Sequence, residues 1–439
     1  VTRWREDATC DDYGSFIFLR DLRSGRSWSA GAQLAASDNA HREVIFAEDH
    51  AEFICRDGTL TSSMNVLISS EDDGEVRRVS LLNTGRRARE IELTSYAEVV
   101  LAAASADNAH PAFAKMFVVT DFIPELGALI ATRRPRTAQE PQVWAAHFAV
   151  ADGLPMSALQ YESDRAKFIG RGNRVATSTA LQAGGALSNT VGTVLDPIFS
   201  LRQSLLIPAG KTITVSFWTL IASSKEDLLD MVDKHRDRSA YDRAKTLAWT
   251  QAQVQLRHLE IKAEEAADFQ QLAAPILYAD ARFRSPSTTI MRGAGIQSML
   301  WSQSISGDLP IVLLRIEDIE DIEQVRQLLR AHEYWRMKRL AVDLVIINER
   351  ASSYVQDLQI AIETAVRSSQ SRPRFGDELR QGSAYALRAD LMSAETRALL
   401  RSVARVVLSA RYGTLGNQLN HLLFTQDKKG IPPAKKLFT

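Results

Sequence analysis

The sequence predicts a multidomain α+β protein: an antiparallel β-sandwich, then a helical linker, then a small α/β subdomain built on a parallel sheet. Three observations support this fold class. The chain has 439 residues, which is too many for one ordinary hydrophobic core. Its apolar residues recur with a period of two up to about residue 220 and with a helical period after it. From residue 301 onward, strongly apolar runs alternate with helical patterns.

Residues 1–222 contain short runs rich in Val, Ile, Phe and Thr that are separated by turn residues. Such runs are typical of an antiparallel sandwich in which sequential strands pair as a meander. We therefore expect each tight turn to join two paired strands. The expected turns lie at 23–26, 56–58, 83–85 and 208–211, and later strands are expected at "ALIATRR" and "VWAAHFAV".

Residues 223–300 have the features of a helical linker. The helix predicted at "SKEDLLDMVDKHRD" begins after Ser224, a preferred N-cap residue, and its first turn carries acids, as the helix dipole favours. No glycine occurs between Gly210 and Gly293, which fits helices better than further sheet.

The pattern of residues 301–414 predicts a small α/β subdomain with three strand–helix pairs. "LPIVLLRI" and "LAVDLVIIN" are continuous apolar runs, typical of strands that are buried on both faces. "SAYALRAD" predicts a third strand, and "SAETRALLRSVARVVLSAR" predicts the third helix. Such alternation predicts a parallel sheet with right-handed crossovers.

The segment that enters this subdomain is expected to be a structural junction formed by Trp301, Gly307 and Asp308. Gly307 permits a sharp turn, and Asp308 is expected to hydrogen-bond that turn. Beyond the subdomain, we expect residues 415–439 to form a linker tail, because the stretch "TQDKKGIPPAKKLFT" at its end is polar and contains Pro and Lys.

Composition and motifs exclude several function classes. Lys+Arg and Asp+Glu number 53 each, so no net field draws in nucleic acid, and no stretch approaches the ~20 apolar residues that membrane insertion requires. Residues 315–321, after the first subdomain strand, hold four acids and no glycine, which argues against a bound nucleotide phosphate. No His-Glu-x-x-His or Gly-x-Ser-x-Gly motif occurs, and we expect no metal and no cofactor.

The two cysteines, Cys10 and Cys55, form no metal-ligand or redox pattern. Two unpaired structural thiols are favoured in a reducing cytosol, and a disulfide between them stays open as the alternative.

Two acids and several aromatic residues are candidates for carbohydrate binding. Glu98 and Asp196 are flanked by apolar and aromatic residues, unlike the many acids at turns, and each could line a sugar-accepting face. Partial burial with hydrogen bonds is the structural alternative for both. A pyranose stacks its apolar C–H face on an aromatic ring, although a place in the core is the default for each ring. The aromatic candidates are Trp4, Trp28, Tyr96, Trp144 and Trp301.

Several long blocks of the sequence match a known family. They include "RWREDATCDDYGSFIFLRD", "HPAFAKMFVVTDFIPE", "DPIFSLRQSL", "SISGDLPIVLLRI" and "RAHEYWRMKRLAVDLVIINE". From about residue 1 to residue 425, the chain resembles cyclic β-1,2-glucan synthases. The resemblance is to the region that precedes, and is related to, the glycoside hydrolase family 94 module, formerly glycosyltransferase family 36.

The resemblance implies a β-super-sandwich, a helical linker and an (α/α)6 catalytic barrel, of which the first two match residues 1–300. It also implies that the partners are β-1,2-glucan, or a related oligosaccharide, and other modules of the same polypeptide. The implied location is the cytoplasmic side, as part of an inner-membrane-anchored bacterial protein. Family 94 phosphorylases carry their general acid in an Asp-x-Asn-Asp motif of the barrel, and this chain has only "SADNAH" at 105–110, within the sandwich.

These observations favour a non-catalytic carbohydrate-binding or scaffold segment of a larger synthase, which holds or positions the glucan beside catalytic modules elsewhere. The first residue is Val1 and not Met, which also predicts a piece of a larger protein. Two alternatives stay open: an active phosphorylase or glycosyltransferase of the family 94 type, and a pure interdomain spacer.

Overall fold

The chain divides into two compact units, Val1–Gln253 and Val254–Thr439. The predicted multidomain α+β class is confirmed, because unit 1 holds antiparallel sheets and unit 2 holds a parallel sheet with helices. The predicted domain boundaries at 222, 300 and 414 stay predictions. The computed structural model describes residues 1–3, 13–31, 40–135, 137, 140–152, 157–182, 184–350, 356–370 and 382–424.

The strands are β1 (Ser15–Asp21), β2 (Ser27–Ser29), β3 (His41–Phe46), β4 (His50–Asp57), β5 (Leu60–Ile68), β6 (Gly74–Asn83), β7 (Arg89–Glu98), β8 (Val118–Ile123), β9 (Ala128–Arg133), β10 (Trp144–Ala151), β11 (Gln160–Asp164), β12 (Pro197–Ile207), β13 (Thr212–Ala222), β14 (Ile311–Ile316), β15 (Asp343–Asn348), β16 (Ala384–Arg388) and β17 (Val406–Ser409). The α-helices are α1 (Ala104–Ala109), α2 (Pro111–Lys115), α3 (Arg165–Ile169), α4 (Lys225–His235), α5 (Ala240–His258), α6 (Ala263–Tyr278), α7 (Ser287–Arg292), α8 (Ile322–Met337), α9 (Asp357–Gln370), α10 (Ala394–Val403) and α11 (Leu415–Phe424).

Unit 1 is a sandwich of two antiparallel sheets. The smaller sheet has the strand order β11-β12-β7-β1-β2, and the larger has the order β3-β4-β5-β6-β13-β10-β9-β8. Alternate residues of both sheets point inward and form a shared apolar core, which includes Leu19 and Leu93 of the smaller sheet and Val79 and Val215 of the larger. Helices α4 and α5 cover the outer face of the larger sheet, and residues 165–182 and 184–187 cover that of the smaller sheet.

Two of the four predicted hairpins are confirmed, because β1 pairs with β2 and β4 pairs with β5. The other two predictions are wrong: the turns at 83–85 and 208–211 each carry the chain from one sheet to the other. The two crossings contact each other, since Asn83 Nδ2 donates to Ile207 O at 3.1 Å and Gly210 N donates to Asn83 O at 2.8 Å. Turn residues specify a reversal of the chain but not the sheet that the next strand joins.

The predicted start of the linker helix is confirmed. The side chain of Ser224 accepts a hydrogen bond from Asp227 N at 3.0 Å, which caps α4 at its N-terminus. Cys55 on β4 is a buried free thiol, whereas Cys10 and Trp4 lie outside the described residues.

Unit 2 is built on a parallel sheet with the strand order β16-β15-β14-β17. The apolar run of β14 is buried on both faces, as predicted. Val312 and Leu314 pack toward the helices α6, α8, α9 and α11, whereas Leu313 packs toward α10 and the residues just before the sheet. Within the described residues, no helix has both the length and the apolar character needed to cross a membrane.

The sheet of unit 2 has one more strand than the sequence predicts. The single helix expected over 393–411 is wrong, because α10 ends at Val403 and β17 follows it, parallel to β14. Ala404 has a ψ of 128°, which is extended, and the β-branched Val406 and Val407 after it favour a strand.

Candidate functional site

Strand β7 carries polar side chains on the outer face of the smaller sheet. Because side chains alternate along a strand, Leu93 enters the sandwich core, whereas Tyr96 and Glu98 lie on the opposite face. Residues 165–182 and 184–187 cover that face, with the Tyr96 ring centroid 5.0 Å from that of Phe168. As a result, Tyr96 is only 1% exposed and Glu98 only 2%.

The Glu98 carboxylate contacts three cations that come from other parts of the chain. Its Oε1 accepts from Arg165 Nε at 3.0 Å, and its Oε2 lies 3.4 Å from Arg3 Nη1 and 3.8 Å from Lys115 Nζ. The Tyr96 hydroxyl lies 3.4 Å from Glu98 Oε1 and accepts from Arg165 Nε at 3.2 Å. Lys115 is the last residue of α2 and Arg165 the first of α3, so two short helices position these cations.

Two further carboxylates complete the arrangement. Asp107 on α1 accepts from Arg3 with both oxygens, at 2.7 and 2.8 Å, and Asp196 accepts from Lys115 Nζ at 2.5 Å. The side chains of Arg165 and Asp196 are 35% and 41% exposed, so these two form the solvent-facing rim. We call this set the Glu98 cluster, and its members are Arg3, Tyr96, Glu98, Asp107, Lys115, Arg165 and Asp196.

The charges of the Glu98 cluster balance, with three cations facing three carboxylates. Burial, and then the Glu98 carboxylate, raise the pKa of the Tyr96 hydroxyl, which therefore stays protonated as a donor. Burial alone lowers the pKa of Arg165, but Tyr96 and Glu98 outweigh it and raise the pKa overall. The hydrogen bond to Asp107 raises the pKa of Arg3. Both guanidinium groups are thus held in their charged form.

This arrangement fits a structural network better than a catalytic pair. Hydrolysis of a glycosidic bond needs a carboxyl group that gives up a proton and a second group placed across a substrate cleft. In the Glu98 cluster, each of the three carboxylates is already bonded to a cation. In the part of the chain that the structure describes, no group of three or more His, Cys, Asp or Glu could hold a metal ion.

The structure brings together three of the five predicted carbohydrate-binding residues, namely Tyr96, Glu98 and Asp196. Trp28 lies apart from them, 8% exposed in the core between the sheets. Trp144 is half-buried at the start of β10, with Lys225 Nζ 5.9 Å from its ring centroid. The rings of Trp28 and Tyr96 are too deeply buried to stack on a sugar, so Trp144 and Asp196 are the two of the five that a ligand can reach.

The residues predicted to form the junction lie together at the N-terminal end of β14. Gly307 has a φ of +77°, a backbone conformation that glycine adopts without strain. Asp308 N donates to Ser306 Oγ at 3.2 Å, and the Asp308 carboxylate accepts from Gln297 Nε2 at 2.9 Å. Trp301 is 64% exposed.

Sequence reasoning missed four members of the Glu98 cluster: Arg3, Asp107, Lys115 and Arg165. Their ion-pair partners lie between 17 and 104 residues away along the chain, so no local spacing indicates them. One pattern was available, because the polar residues at 92, 94, 96 and 98 occupy every second position of a buried strand. Such a pattern indicates that the polar face is covered and must find partners.

The chain belongs to the glycosyl hydrolase 94 family: the family model of the supersandwich domain matches residues 1–238. The match confirms the β-super-sandwich and the family named from the sequence.

Among individual proteins, the chain is 41% identical to the cyclic β-(1,2)-glucan synthase NdvB of Rhizobium meliloti (strain 1021), over 95% of this chain and 15% of that protein. It is 24% identical to the N,N′-diacetylchitobiose phosphorylase of Vibrio furnissii, over 56% of this chain and 29% of the relative. It is 22% identical to the solabiose phosphorylase of Paenibacillus borealis, over 45% of this chain and 25% of the relative. The chain thus spans less than a third of each relative, and it is a glucan-synthase-like segment of the family 94 type.

Proposed function

We propose that the chain is a non-catalytic, carbohydrate-binding scaffold segment of a cyclic β-1,2-glucan synthase, which holds or positions the glucan beside catalytic modules elsewhere in the polypeptide. The observation that carries this proposal is the 41% identity along 95% of the chain to a segment that makes up 15% of a named synthase. The rest of such a polypeptide has ample length to supply the catalytic groups.

The Glu98 cluster supports the non-catalytic part of the proposal. A general acid must exchange its proton with the substrate, and a nucleophilic carboxylate must reach the anomeric carbon. Glu98 is buried and has three cations around it, whereas the more exposed Asp196 is bonded to Lys115. Opening either carboxylate to a sugar would leave buried cations without their partners, which is costly.

The surface beside the Glu98 cluster supports contact with another module of the same polypeptide. Phe113 and Met116 flank Lys115 and are 48% and 51% exposed, and Leu195, next to Asp196, is 79% exposed. The Lys115–Asp196 ion pair joins the two segments that carry these side chains. Exposed apolar side chains with a charged rim are typical of a docking surface. The occupant we propose is a neighbouring module, because the relative is several times longer than this chain.

The location proposed for the whole protein is the cytoplasmic side of the inner membrane of a bacterium, with membrane anchoring supplied outside this segment. Its partners are β-1,2-glucan, or a related oligosaccharide, and other modules of the polypeptide, without nucleic acid.

A direct test is to titrate the isolated chain with linear β-1,2-glucans of increasing length in a calorimeter, with β-1,4-linked glucans as the linkage control. The same samples are incubated with inorganic phosphate and assayed for glucose 1-phosphate. We expect affinity that rises with the length of the β-1,2-glucan and no phosphorolysis.

Other outcomes favour the alternatives. Phosphorolysis by the isolated chain would contradict a non-catalytic role and favour the phosphorylase hypothesis, to which the similarity with the chitobiose phosphorylase lends some support. Equal affinity for both linkages would contradict recognition of β-1,2-glucan. No binding and no turnover would favour the interdomain spacer.

A further inference from the structure

Trp301 of unit 2 is an exposed aromatic ring that the structure holds in one orientation. Its side chain is 64% exposed, yet its indole Nε1 donates to Ser306 O at 3.3 Å. The only polar group of the indole is therefore occupied within the protein. What remains for a ligand is the flat apolar face of the ring.

The surroundings of this ring are polar and are fixed by hydrogen bonds. Gln297 Nε2 donates to Ser306 O at 2.8 Å and to Asp308 Oδ1 at 2.9 Å, which orients the amide and the carboxylate together. Gly307, between Ser306 and Asp308, has a φ of +77° and packs so closely that a Cβ there would lie 3.0 Å from Gln297 Cγ. The turn therefore keeps the amide, the carboxylate and the ring in a constant arrangement.

Each of the two polar side chains retains an acceptor atom that this arrangement does not use. Asp308 Oδ2 and Gln297 Oε1 make no hydrogen bond with any residue that the structure describes. Both are acceptors, and Asp308 is exposed. Two oriented acceptors beside an exposed ring are complementary to a ligand with an apolar face and hydroxyl donors at its edge.

We propose that this surface, the Trp301 platform (Gln297, Trp301, Ser306 and Asp308), is a glucan subsite in unit 2. The indole stacks on the C–H face of a glucosyl residue, and Asp308 and Gln297 accept hydrogen bonds from its hydroxyl groups. The proposal rests on the proposed glucan-binding function, and it assigns binding to residues outside the sandwich. The segment expected to act only as a junction thus gains a binding role.

The chemistry of the platform favours a sugar over a protein partner. Protein interfaces have an apolar, desolvated centre in which charged residues are depleted. Here one exposed ring is adjoined by a carboxylate and a carboxamide that are hydrogen-bonded to each other. A polyhydroxylated ring with one apolar face satisfies all of these groups at once.

The test compares two exposed tryptophans. Trp301→Ala and Trp249→Ala are each titrated with linear β-1,2-glucans in the full 439-residue chain, and thermal unfolding is measured for both. Trp249, on α5, is 56% exposed and serves as the matched control. We expect Trp301→Ala to weaken affinity about tenfold or more and Trp249→Ala to leave it unchanged. Trp301→Phe retains an aromatic face without the indole N–H, and we expect an intermediate affinity.

Tryptophan fluorescence gives a second readout. Saturating β-1,2-glucan should change the emission of the wild-type chain and of Trp249→Ala, and most of that change should be absent in Trp301→Phe. If the wild-type chain binds and Trp301→Ala binds equally well, the platform is not a subsite, although the proposed function stands. If the wild-type chain does not bind β-1,2-glucan at all, the proposed function fails and the platform with it.

Discussion

His147 provides the sharpest prediction because it joins the two sheets from a fully buried position. It lies on β10 of the larger sheet, and its Nε2 is 2.8 Å from the hydroxyl of Ser95 on β7 of the smaller sheet. Its Nδ1 is 3.0 Å from Thr219 Oγ1, and its ring stacks between Phe199 and Phe217. Burial lowers the pKa of His147 to about 4. The imidazole is therefore neutral in the folded protein at every ordinary pH.

The sign of the pH dependence follows from the two pKa values. In the unfolded chain the imidazole takes up a proton below about pH 6.5, whereas the folded protein holds His147 neutral down to about pH 4. The unfolded state binds more protons between these values, so the contribution of His147 to stability is complete above 6.5 and is lost as the pH falls. Between pH 7 and pH 5 the loss amounts to about 2 kcal/mol.

The assay is urea unfolding of the wild-type chain and of His147→Gln at pH 7, 6 and 5. Glutamine can donate and accept as the neutral imidazole does, but it does not titrate. The variant is expected to be less stable at pH 7, because the amide does not fill the space between the two phenyl rings. Its further loss between pH 7 and pH 5 should be about 2 kcal/mol smaller than that of the wild type. Burial also lowers the pKa of His235, but this residue is present in both proteins. Its contribution to the pH dependence of stability therefore cancels in the comparison. Parallel pH profiles for the two proteins would refute the reasoning.

Three further changes test other parts of the structure. Glu98→Gln should lower the free energy of unfolding by about 3–5 kcal/mol, because three cations lose their shared carboxylate, whereas Glu90→Gln, exposed on the same strand, should change it by under about 0.5 kcal/mol. Equal losses in urea unfolding would contradict this. Gly307→Ala should cost about 2 kcal/mol and Gly210→Ala about 1 kcal/mol, since both have positive φ but a Cβ meets close side-chain atoms only at Gly307. Thermal unfolding measures the loss of stability in both variants. Equal losses would show that the side chains around position 307 move away from the new Cβ. Trp144→Ala should weaken calorimetric binding of linear β-1,2-glucan about threefold, and an unchanged affinity would remove Trp144 from the proposed binding surface.

The sequence predicted the elements of the fold better than their pairing. Period-two runs located β1 and β7, and apolar runs located β14 and β15, because hydrophobic periodicity is a local property. The sheet to which each strand belongs depends on partners that are distant in the sequence. For this reason the turn residues at 83–85 and 208–211 predicted hairpins, although the chain crosses there from one sheet to the other. The strand at Val406–Ser409 was assigned to a helix because its four residues directly follow a strong amphipathic pattern.

Some residues of the candidate site are indicated by the sequence, and others are not. Glu98 and Asp196 stood out because apolar neighbours surround an acid in each case, which is visible in the sequence. Their cations did not stand out, because Arg3, Lys115 and Arg165 are ordinary residues until the fold brings them together. The solvent exposure of the aromatic side chains could not be predicted either. No feature of the local sequence distinguishes the buried Trp28 and Tyr96 from an exposed ring.

The two sheet crossings have a consequence for the order in which this chain can fold during synthesis. Asn83 bonds to Ile207, which follows it by 124 residues, and β6 can acquire its second neighbour only when β13 has been made. Early strands must therefore remain incompletely paired while more than a hundred residues leave the ribosome. Exposed strand edges in such an interval are prone to aggregation, and non-local pairing of this kind is slow. A truncation that ends before β13 should consequently yield an insoluble product rather than a smaller sandwich.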